Sequence, residues 1–240
     1  MSSLEIISCE HGFGIAPEAR AAAFDSSWFD RPVWEAHGAR RHTSTGRAPV
    51  LIGEKGTETW VLRHYSRGGL VSRLIEDHYF WRGLLRTRAY RELEILEQMR
   101  SWDLPVPAPV AAWVARRGLA YQADIITVYI PRTHALSALL RTDSVPETLW
   151  RDIGRMLGEF HDFGVDHPDI TAHNILVDVE MRPFLVDFDN ALIRPKGAWK
   201  RRGLARFERS LRKVAMETGI EFSPDEWDLV AQGYDSRALR

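Results

Sequence analysis

The sequence has little of several features that would place it in a specialised class of protein. Its single cysteine, Cys9, cannot form an internal disulfide, which is typical of a reducing compartment. No stretch approaches the roughly 20 apolar residues of a membrane span, and the apolar run 104–114 is short and contains three prolines. The N-terminus lacks the basic and apolar regions of a secretory signal. We therefore expect a cytosolic protein.

The sequence also lacks an excess of charge of either sign. Its 32 Lys and Arg residues nearly balance its 33 Asp and Glu residues, for a formal net charge of −1. General affinity for nucleic acid is therefore not expected, and any contact with a polyanion has to come from a local cluster. The length of 240 residues and the hydrophobic content of 45% suffice for one large domain or two lobes.

What the sequence does contain is a pair of motifs in its second half. Residues 167–174 read His-Pro-Asp-Ile-Thr-Ala-His-Asn, and residues 187–189 read Asp-Phe-Asp. In kinases, the Asp of the first motif accepts the proton of the acceptor hydroxyl, while the Asn and the later Asp hold Mg²⁺ against the nucleotide phosphates. Here these roles fall to Asp169, Asn174 and Asp187.

The spacing between the motifs supports this interpretation. Asp187 lies 18 residues after Asp169, which leaves room for a short loop, a strand over 175–177, a turn over 178–182 and a strand over 183–186. The two metal ligands then stand at the ends of one hairpin and come together. The alternative is that Asp169 caps a turn and Asp187 ends a strand with no metal bound.

The remaining pattern predicts an α+β, two-lobed, protein-kinase-like fold. The N-lobe, residues 1–130, is a small sheet with one helix, and the mainly helical C-lobe, residues 131–240, begins at Pro131. The predicted elements are strands over 48–52, 58–65, 110–116 and 119–128, a turn over 53–56, and helices over 87–102 and 146–163.

A kinase also needs a cation on a strand, fixed by a carboxylate from the following helix. Arg63, in Trp-Val-Leu-Arg, stands where kinases have Val-Ala-Ile-Lys, and Glu92 is its proposed partner because it shares a helix face with Leu96. The alternative is that both are surface charges. The sequence has no G-x-G-x-x-G phosphate cover, so no glycine is assigned to the phosphates, and residues 127–130 are placed at the adenine by position alone.

These residues resemble those of the bacterial lipopolysaccharide kinases, and most closely the 3-deoxy-D-manno-octulosonic acid (Kdo) kinases. The resemblance covers residues 60–214. It rests on Val-Leu-Arg-His-Tyr at 61–65, Arg-Gly-Gly at 67–69, Thr-Arg-Ala-Tyr-Arg-Glu at 87–92, Pro-Val-Pro at 105–107, Ala-Asp-Ile-Ile-Thr at 123–127, Ala-His-Asn-Ile-Leu at 172–176 and Val-Asp-Phe-Asp at 186–189.

The resemblance implies transfer of the ATP γ-phosphate, with Mg²⁺, to the 4-hydroxyl of a Kdo sugar on a lipid A precursor. It also implies a peripheral protein at the cytoplasmic face of the inner membrane. Pro168 departs from the family pattern as we know it, and Thr171 stands where protein kinases usually have lysine. No Ala-Pro-Glu segment follows Asp189, which argues against a protein acceptor. His167 is expected to support the loop rather than act as a base.

Two basic clusters are candidates for contact with an anionic membrane surface. The first lies within residues 194–213, where Leu204, Phe207, Leu211 and Val214 form an apolar stripe at helical spacing. That helix either lies on lipid or packs its stripe on the C-lobe. The second cluster consists of Arg82, Arg86, Arg88 and Arg91 beside the aromatic run 79–81, and serves either the same surface or the sugar-acid carboxylates.

Two other functions remain open at the level of sequence. One is a kinase of the same fold acting on another small molecule, a heptose or a protein. The other is a non-catalytic nucleotide- or lipid-binding scaffold, which is suggested by arginine instead of lysine at position 63 and by the weak glycine loop. Retention of Asp169, Asn174 and Asp187 argues against the scaffold.

Overall fold

The computed structural model describes residues 3–42, 49–66, 77–141 and 145–236. The chain divides into two compact units. The N-terminal unit comprises residues 1–102 and 107–129, and the C-terminal unit comprises residues 103–106 and 130–240. Both contain helices and antiparallel strands, so the predicted α+β class is confirmed.

The N-terminal unit is built on an antiparallel sheet. Its strands are β1 (Leu4–Cys9), β2 (Gly12–Pro17), β3 (Arg40–His42), β4 (Val50–Lys55), β5 (Glu58–His64), β6 (Tyr79–Phe80), β7 (Pro109–Arg117) and β8 (Ala120–Val128). Within the described residues the order is β1-β2-β7-β8-β5-β4-β3, with β6 pairing to β8. The helices are α1 (Glu18–Ala21), α2 (Arg31–Ala36) and α3 (Arg88–Ser101), and 3₁₀ turns span Ser26–Phe29 and Leu84–Arg86.

An aromatic cluster stabilises the N-terminal unit. The rings of Trp28 and Trp60 meet edge to face at 5.0 Å. They pack with Leu51, Leu62 and Ile126, all of which are almost fully buried. Edge-to-face pairs of this kind contribute about 1 kcal/mol beyond the apolar area they bury. The sheet therefore has a rigid core on which the side chains of β5 can be positioned.

Helix α3 begins and ends within one residue of the prediction. Thr87 caps it by accepting a hydrogen bond from the Tyr90 N–H at 3.4 Å, which satisfies one of the helix's free donors. Leu93, Leu96 and Met99 are buried on its inner face. The period of apolar residues therefore identified both the helix and its orientation.

One sequence-based expectation for this unit was wrong. Residues 53–55 were expected to form a turn but continue strand β4, and the reversal occurs at Gly56, whose positive φ of 62° suits glycine. Gly53 instead faces Trp34 closely, so its small size allows the indole to pack. Within residues 1–45, for which the sequence predicted no element, β1 pairs with β2 and β2 pairs with β7, so both strands extend the sheet.

The C-terminal unit is mainly helical. Its elements are β9 (Thr133–Ala135), α4 (Leu136–Leu139), α5 (Glu147–Asp162), β10 (Val165–Asp166), β11 (Ile175–Asp178), β12 (Pro183–Leu185), β13 (Leu192–Ile193), α6 (Trp199–Thr218) and α7 (Pro224–Asp235). Among the described strands, β9 and β12 flank β11, and β10 pairs with β13. Helix α5 matches its predicted extent, and Gly164 follows with a φ of 80°, as expected of a helix stop.

Helices α5 and α7 cross at two glycines. A Cβ on Gly154 would lie 2.0 Å from the Val230 carbonyl oxygen, and one on Gly233 would lie 2.0 Å from the Arg151 carbonyl oxygen. Any larger residue at either position would force the helix backbones apart. This close contact fixes α5 and α7 against each other.

The structure decides between the two interpretations of the basic C-terminal helix. Phe207, Leu211 and Val214 on α6 are almost completely buried within the C-terminal unit. The apolar stripe therefore packs on protein rather than on lipid, while Arg201, Arg202, Arg206 and Arg209 remain exposed. None of the helices in the described ranges is long and apolar enough to cross a membrane.

His161 predicts how the stability of this unit depends on pH. Its imidazole is buried, lies 2.8 Å from the Tyr234 hydroxyl and meets Trp199 edge to face. Burial, with a smaller contribution from Lys200, lowers the pKa of His161 from 6.5 to about 4. As the pH falls below 6.5 the unfolded chain takes up a proton that the folded chain does not, so stability decreases until about pH 4, by up to about 3 kcal/mol.

We therefore expect His161→Asn, which keeps a polar group near Tyr234, to show a flatter dependence of unfolding free energy on pH between 7 and 4.5. Urea unfolding of both proteins across this range measures the difference. Every other titrating group is common to the two proteins and cancels in the comparison. Parallel stability curves would show that His161 is not the responsible group.

Candidate functional site

The loop that follows β10 is held by a buried histidine. The Asp169 N–H donates to His167 Nδ1 at 3.1 Å, and His167 Nε2 lies 3.2 Å from the Val186 carbonyl oxygen. Because Nδ1 accepts and Nε2 donates, the imidazole is neutral in this arrangement. Both ring nitrogens are engaged with backbone, so His167 is built into the loop and cannot also serve as the base.

Asn174 connects the loop to the hairpin formed by β11 and β12. Its Nδ2 donates to the Asp169 backbone carbonyl at 2.8 Å and to the Asp169 carboxylate at 3.1 Å. The Val186 N–H donates to the Asn174 backbone carbonyl at 3.0 Å. The two donor contacts of Nδ2 fix the orientation of the side-chain amide, and so place Oδ1 on its other side.

The Oδ1 atom of Asn174 is the most informative atom of the site. Asn174 is fully buried, and Oδ1 has no hydrogen-bond partner within the described part of the chain. An unsatisfied buried carbonyl oxygen costs about 1–3 kcal/mol, so it calls for an explanation. A hard cation is the type of ligand that such an oxygen binds well.

Asp187 directly follows Val186, whose N–H donates to the Asn174 backbone carbonyl. It has a positive φ of 69°, an unusual conformation for a residue other than glycine that is frequent at functional sites. The next residue, Phe188, is buried and holds the turn by packing on Phe160 at 5.9 Å and on His167 at 4.9 Å. Asp187 itself is half-buried, so its carboxylate is not sealed in the core.

The pairing of β11 with β12 brings these residues to one end of the hairpin. Ile175 pairs with Leu185, so Asn174 and Val186 are the next residues at the open end. The two predicted strands and the predicted contact between their ends are therefore present. Asp189 is also half-buried near this end, and the structure assigns it no distinct role.

The donor set suits Mg²⁺ better than a metal held entirely by protein. Among the described residues, no group of three or more His, Cys, Asp or Glu side chains could hold a metal ion. Mg²⁺ is usually bound by one or two carboxylates together with substrate phosphates and water. One carboxylate from Asp187 and the free Oδ1 of Asn174 fit that pattern.

The middle of the loop is fixed by two contacts that sequence reasoning missed. The Ala172 N–H donates to Ser210 Oγ on α6 at 3.0 Å, and the Ser137 N–H on α4 donates to the Ala172 carbonyl at 2.9 Å. Ser210 falls between Phe207 and Val214 at helical spacing. A polar residue on an otherwise apolar stripe indicates a buried hydrogen bond, and this was the sequence feature that could have identified Ser210.

In the N-terminal unit, Arg63 on β5 and Glu92 on α3 form the predicted ion pair. Arg63 Nη2 lies 2.5 Å from Glu92 Oε2, and the Glu92 side chain is only 4% exposed. The Tyr65 hydroxyl donates to the same oxygen at 2.6 Å, and the Arg63 guanidinium lies 4.9 Å from the centre of the Tyr65 ring. Burial and the Glu92 charge raise the pKa of Tyr65 well above its usual range, so it remains a donor.

Neither Tyr65 nor the adjacent His64 received a role from the sequence. His64 Nδ1 lies 2.8 Å from Asp124 Oδ1, and Nε2 lies 3.3 Å from Asp77 Oδ2. The hydrogen bond to Asp124 raises the pKa of His64. The Arg-Gly-Gly segment at 67–69, on which part of the family resemblance rests, lies outside the described residues.

Comparisons with known proteins identify relatives over most of the chain. The model of the lipopolysaccharide kinase (Kdo/WaaP) family matches residues 31–234. Similar proteins named 3-deoxy-D-manno-octulosonic acid kinase come from Vibrio vulnificus, with 33% identity over 89% of this chain and 94% of the relative, and from Photobacterium profundum, with 37% identity over 86% and 88%. Another comes from Stenotrophomonas maltophilia, with 40% identity over 81% and 82%.

The two motifs, their geometry and these matches define a phosphotransferase. The chain belongs to the lipopolysaccharide kinase (Kdo/WaaP) family. The sequence-based prediction of this family is therefore confirmed, whereas the roles of the individual site residues stay predictions.

Ser210 is expected to act as a positioning residue for the loop. Ser210→Ala leaves the Ala172 N–H without its acceptor, and we expect kcat of phosphotransfer to fall about tenfold because Asp169 loses its fixed position. The KM for ATP should stay unchanged. Steady-state kinetics of the purified variants measures both constants.

Ser210→Thr is the matched control, because it keeps a hydroxyl and should restore kcat to within about threefold of the native value. If the Ala and Thr variants are equally impaired, the hydroxyl is not what positions the loop.

Proposed function

We propose that this protein transfers the γ-phosphate of ATP to the 4-hydroxyl of a Kdo sugar attached to a lipid A precursor, in lipopolysaccharide core biosynthesis. Membership of the family supports the phosphotransfer, and the shared name of the three relatives supports Kdo as the acceptor. The 4-hydroxyl and the lipid A precursor come from the family resemblance. These two details are the most specific part of the proposal.

One observation carries the chemistry: Asn174 is held against Asp169, and its Oδ1 has no hydrogen-bond partner among the residues that the structure describes. In this proposal Asp169 is the catalytic base. Its carboxylate accepts a hydrogen bond from the acceptor hydroxyl, aligns the oxygen for in-line attack and takes up the proton. Because the Asn174 amide and His167 hold the loop before the substrate arrives, little reorganisation is needed.

Asn174 Oδ1 and the Asp187 carboxylate are the proposed metal ligands. When bound, Mg²⁺ neutralises the charge of the nucleotide phosphates and of the developing transition state. The positive φ of Asp187 and the buried Phe188 keep the carboxylate at the end of the hairpin. Asn174 Oδ1, which has no partner in the described ranges, then gains one.

Arg63 is the proposed cation that orients the phosphates of ATP. Glu92 and Tyr65 determine its position, because both lie on a rigid strand–helix pair. Guanidinium groups bind phosphate oxygens in a bidentate manner, so arginine can take the place of the usual kinase lysine. In this proposal residues 1–130 form the N-lobe, which orients the nucleotide. Residues 131–240 form the C-lobe, which carries the base and the metal ligands.

The proposed acceptor places the enzyme at a membrane. A Kdo-bearing lipid A precursor has its acyl chains in the bilayer, so the enzyme has to work as a peripheral protein, at the cytoplasmic side of the inner membrane. Contact with an anionic lipid surface is part of this proposal.

The test is to incubate the purified protein with Mg-ATP labelled on the γ-phosphate and with a lipid A precursor that carries Kdo or lacks it. We expect label only on the Kdo-bearing lipid. Asp169→Asn, which keeps the size of the side chain, should lower the rate about 10²- to 10⁴-fold. Asp152→Asn, an exposed change on α5, is the control and should leave the rate unchanged.

Phosphorus–proton correlation spectroscopy of the product locates the phosphate on the sugar. Label on the precursor without Kdo, or on a hydroxyl other than the 4-hydroxyl, contradicts the proposed acceptor. A full rate for Asp169→Asn contradicts the proposed base.

A further inference from the structure

An edge of the sheet in the N-terminal unit exposes large apolar side chains. Strand β6 pairs only with β8 among the described strands, and the Trp81 N–H donates to the Leu119 carbonyl at 2.9 Å. This bond brings the β7–β8 turn to the end of β6. We call residues 79–86 and 115–121 together the Phe80 corner.

The side chains at this corner alternate between core and solvent. Tyr79 and Trp81 turn inward, and their rings lie 5.5 and 6.1 Å from that of Tyr121. Phe80 points the other way and is 61% exposed, while Leu119 in the turn is 72% exposed. Leu85, in the 3₁₀ turn that follows, is 56% exposed. Large apolar groups concentrated in this way typically mark a surface that binds something.

Positive charge surrounds these apolar groups. Arg82, Arg86, Arg116 and Arg117 are all exposed, and the corner contains no Asp or Glu. Within the described part of the chain, none of the four forms an ion pair. The guanidinium of Arg116 stacks 4.9 Å above the Trp81 ring, and that of Arg82 lies 5.8 Å from the Phe80 ring.

Exposed apolar side chains surrounded by arginines suit the interfacial region of a phospholipid bilayer, between the headgroups and the acyl chains. Phenylalanine and leucine side chains enter the acyl region just below the headgroups, a half-buried tryptophan ring prefers the interface, and arginines bind the phosphates around them. A single-stranded nucleic acid can bind the charges and stack a base on Phe80, but it has no complementary group for the exposed aliphatic side chains of Leu85 and Leu119. The arginines stacked on Trp81 and Phe80 keep charge next to the apolar groups, as at a membrane interface.

We propose that the Phe80 corner is the surface by which the protein docks on an anionic phospholipid bilayer. The inference deepens the proposed function, because an enzyme with a lipid-anchored acceptor needs such a surface. It also replaces the helix that the sequence offered as one alternative for this role, since α6 buries the apolar stripe of Phe207, Leu211 and Val214 in protein.

The experiment is sedimentation of the full protein with vesicles of phosphatidylcholine alone or mixed with phosphatidylglycerol, without ATP or acceptor. We expect the native protein to bind the mixed vesicles, and Phe80→Ser/Leu119→Ser to lower its partition coefficient about tenfold or more. Arg82→Gln/Arg117→Gln should weaken binding to the mixed vesicles and abolish most of its dependence on salt.

A second exposed apolar pair, Leu192 and Ile193 on β13, provides the matched control, because Arg194 and Lys196 lie beside it in the sequence. Leu192→Ser/Ile193→Ser should bind vesicles as the native protein does. Loss of binding in this control, full binding by the Phe80/Leu119 variant, or no binding by the native protein would overturn the proposal. Thermal melting of each variant confirms that it is folded.

Failure of this inference and failure of the proposed function can be told apart. The Phe80→Ser/Leu119→Ser variant should phosphorylate a deacylated, water-soluble Kdo acceptor at the native rate, since neither residue belongs to the proposed catalytic machinery. If the native protein binds vesicles as expected but transfers no phosphate to either acceptor, only the proposed function fails. If the native protein transfers phosphate, but the Phe80→Ser/Leu119→Ser variant binds vesicles as well as the Leu192→Ser/Ile193→Ser control does, only the docking surface fails.

Discussion

The hydrogen bonds of Asn174 are the interaction on which the site depends. Its side-chain amide grips Asp169 through both the backbone and the carboxylate, and its backbone carbonyl accepts from Val186, the residue before Asp187. One fully buried residue therefore sets the positions of the proposed base and of both proposed metal ligands. The side-chain oxygen of Asn174, Oδ1, has no partner among the described residues. A purely structural role for Asn174 does not explain this unsatisfied buried oxygen.

Much of this arrangement could be predicted from the sequence, because it is local. The hairpin follows from two short apolar runs around a turn, and once 175–177 pairs with 183–185, the residues at its open end have to meet. Helix α3 follows from apolar residues at intervals of three and four, and the same spacing turns Glu92 inward towards Arg63. The family, too, was predicted from these motifs and is confirmed by the comparisons.

The parts that the sequence did not reveal depend on contacts between distant segments. Ser210 supports the loop from a helix 38 residues further along the chain, and Tyr65 binds Glu92 across 27 residues. Strand β2 extends the sheet by pairing with β7, about 100 residues away, and β1 pairs with β2; no local sequence pattern indicates the pairing with β7. The apolar stripe of α6 has the same period whether it meets lipid or protein, so only the fold could decide between them.

The central claim is that Asn174 Oδ1 binds the catalytic metal. The most direct measurement is the free Mg²⁺ concentration that gives half the maximal rate of phosphotransfer at saturating ATP, for the native protein and for Asn174→Ala. We expect an increase of about tenfold or more in the variant, separate from the lower maximal rate caused by the loss of the Asp169 contact. A lower maximal rate with an unchanged half-saturating concentration would contradict the claim and leave Asn174 with a purely structural role.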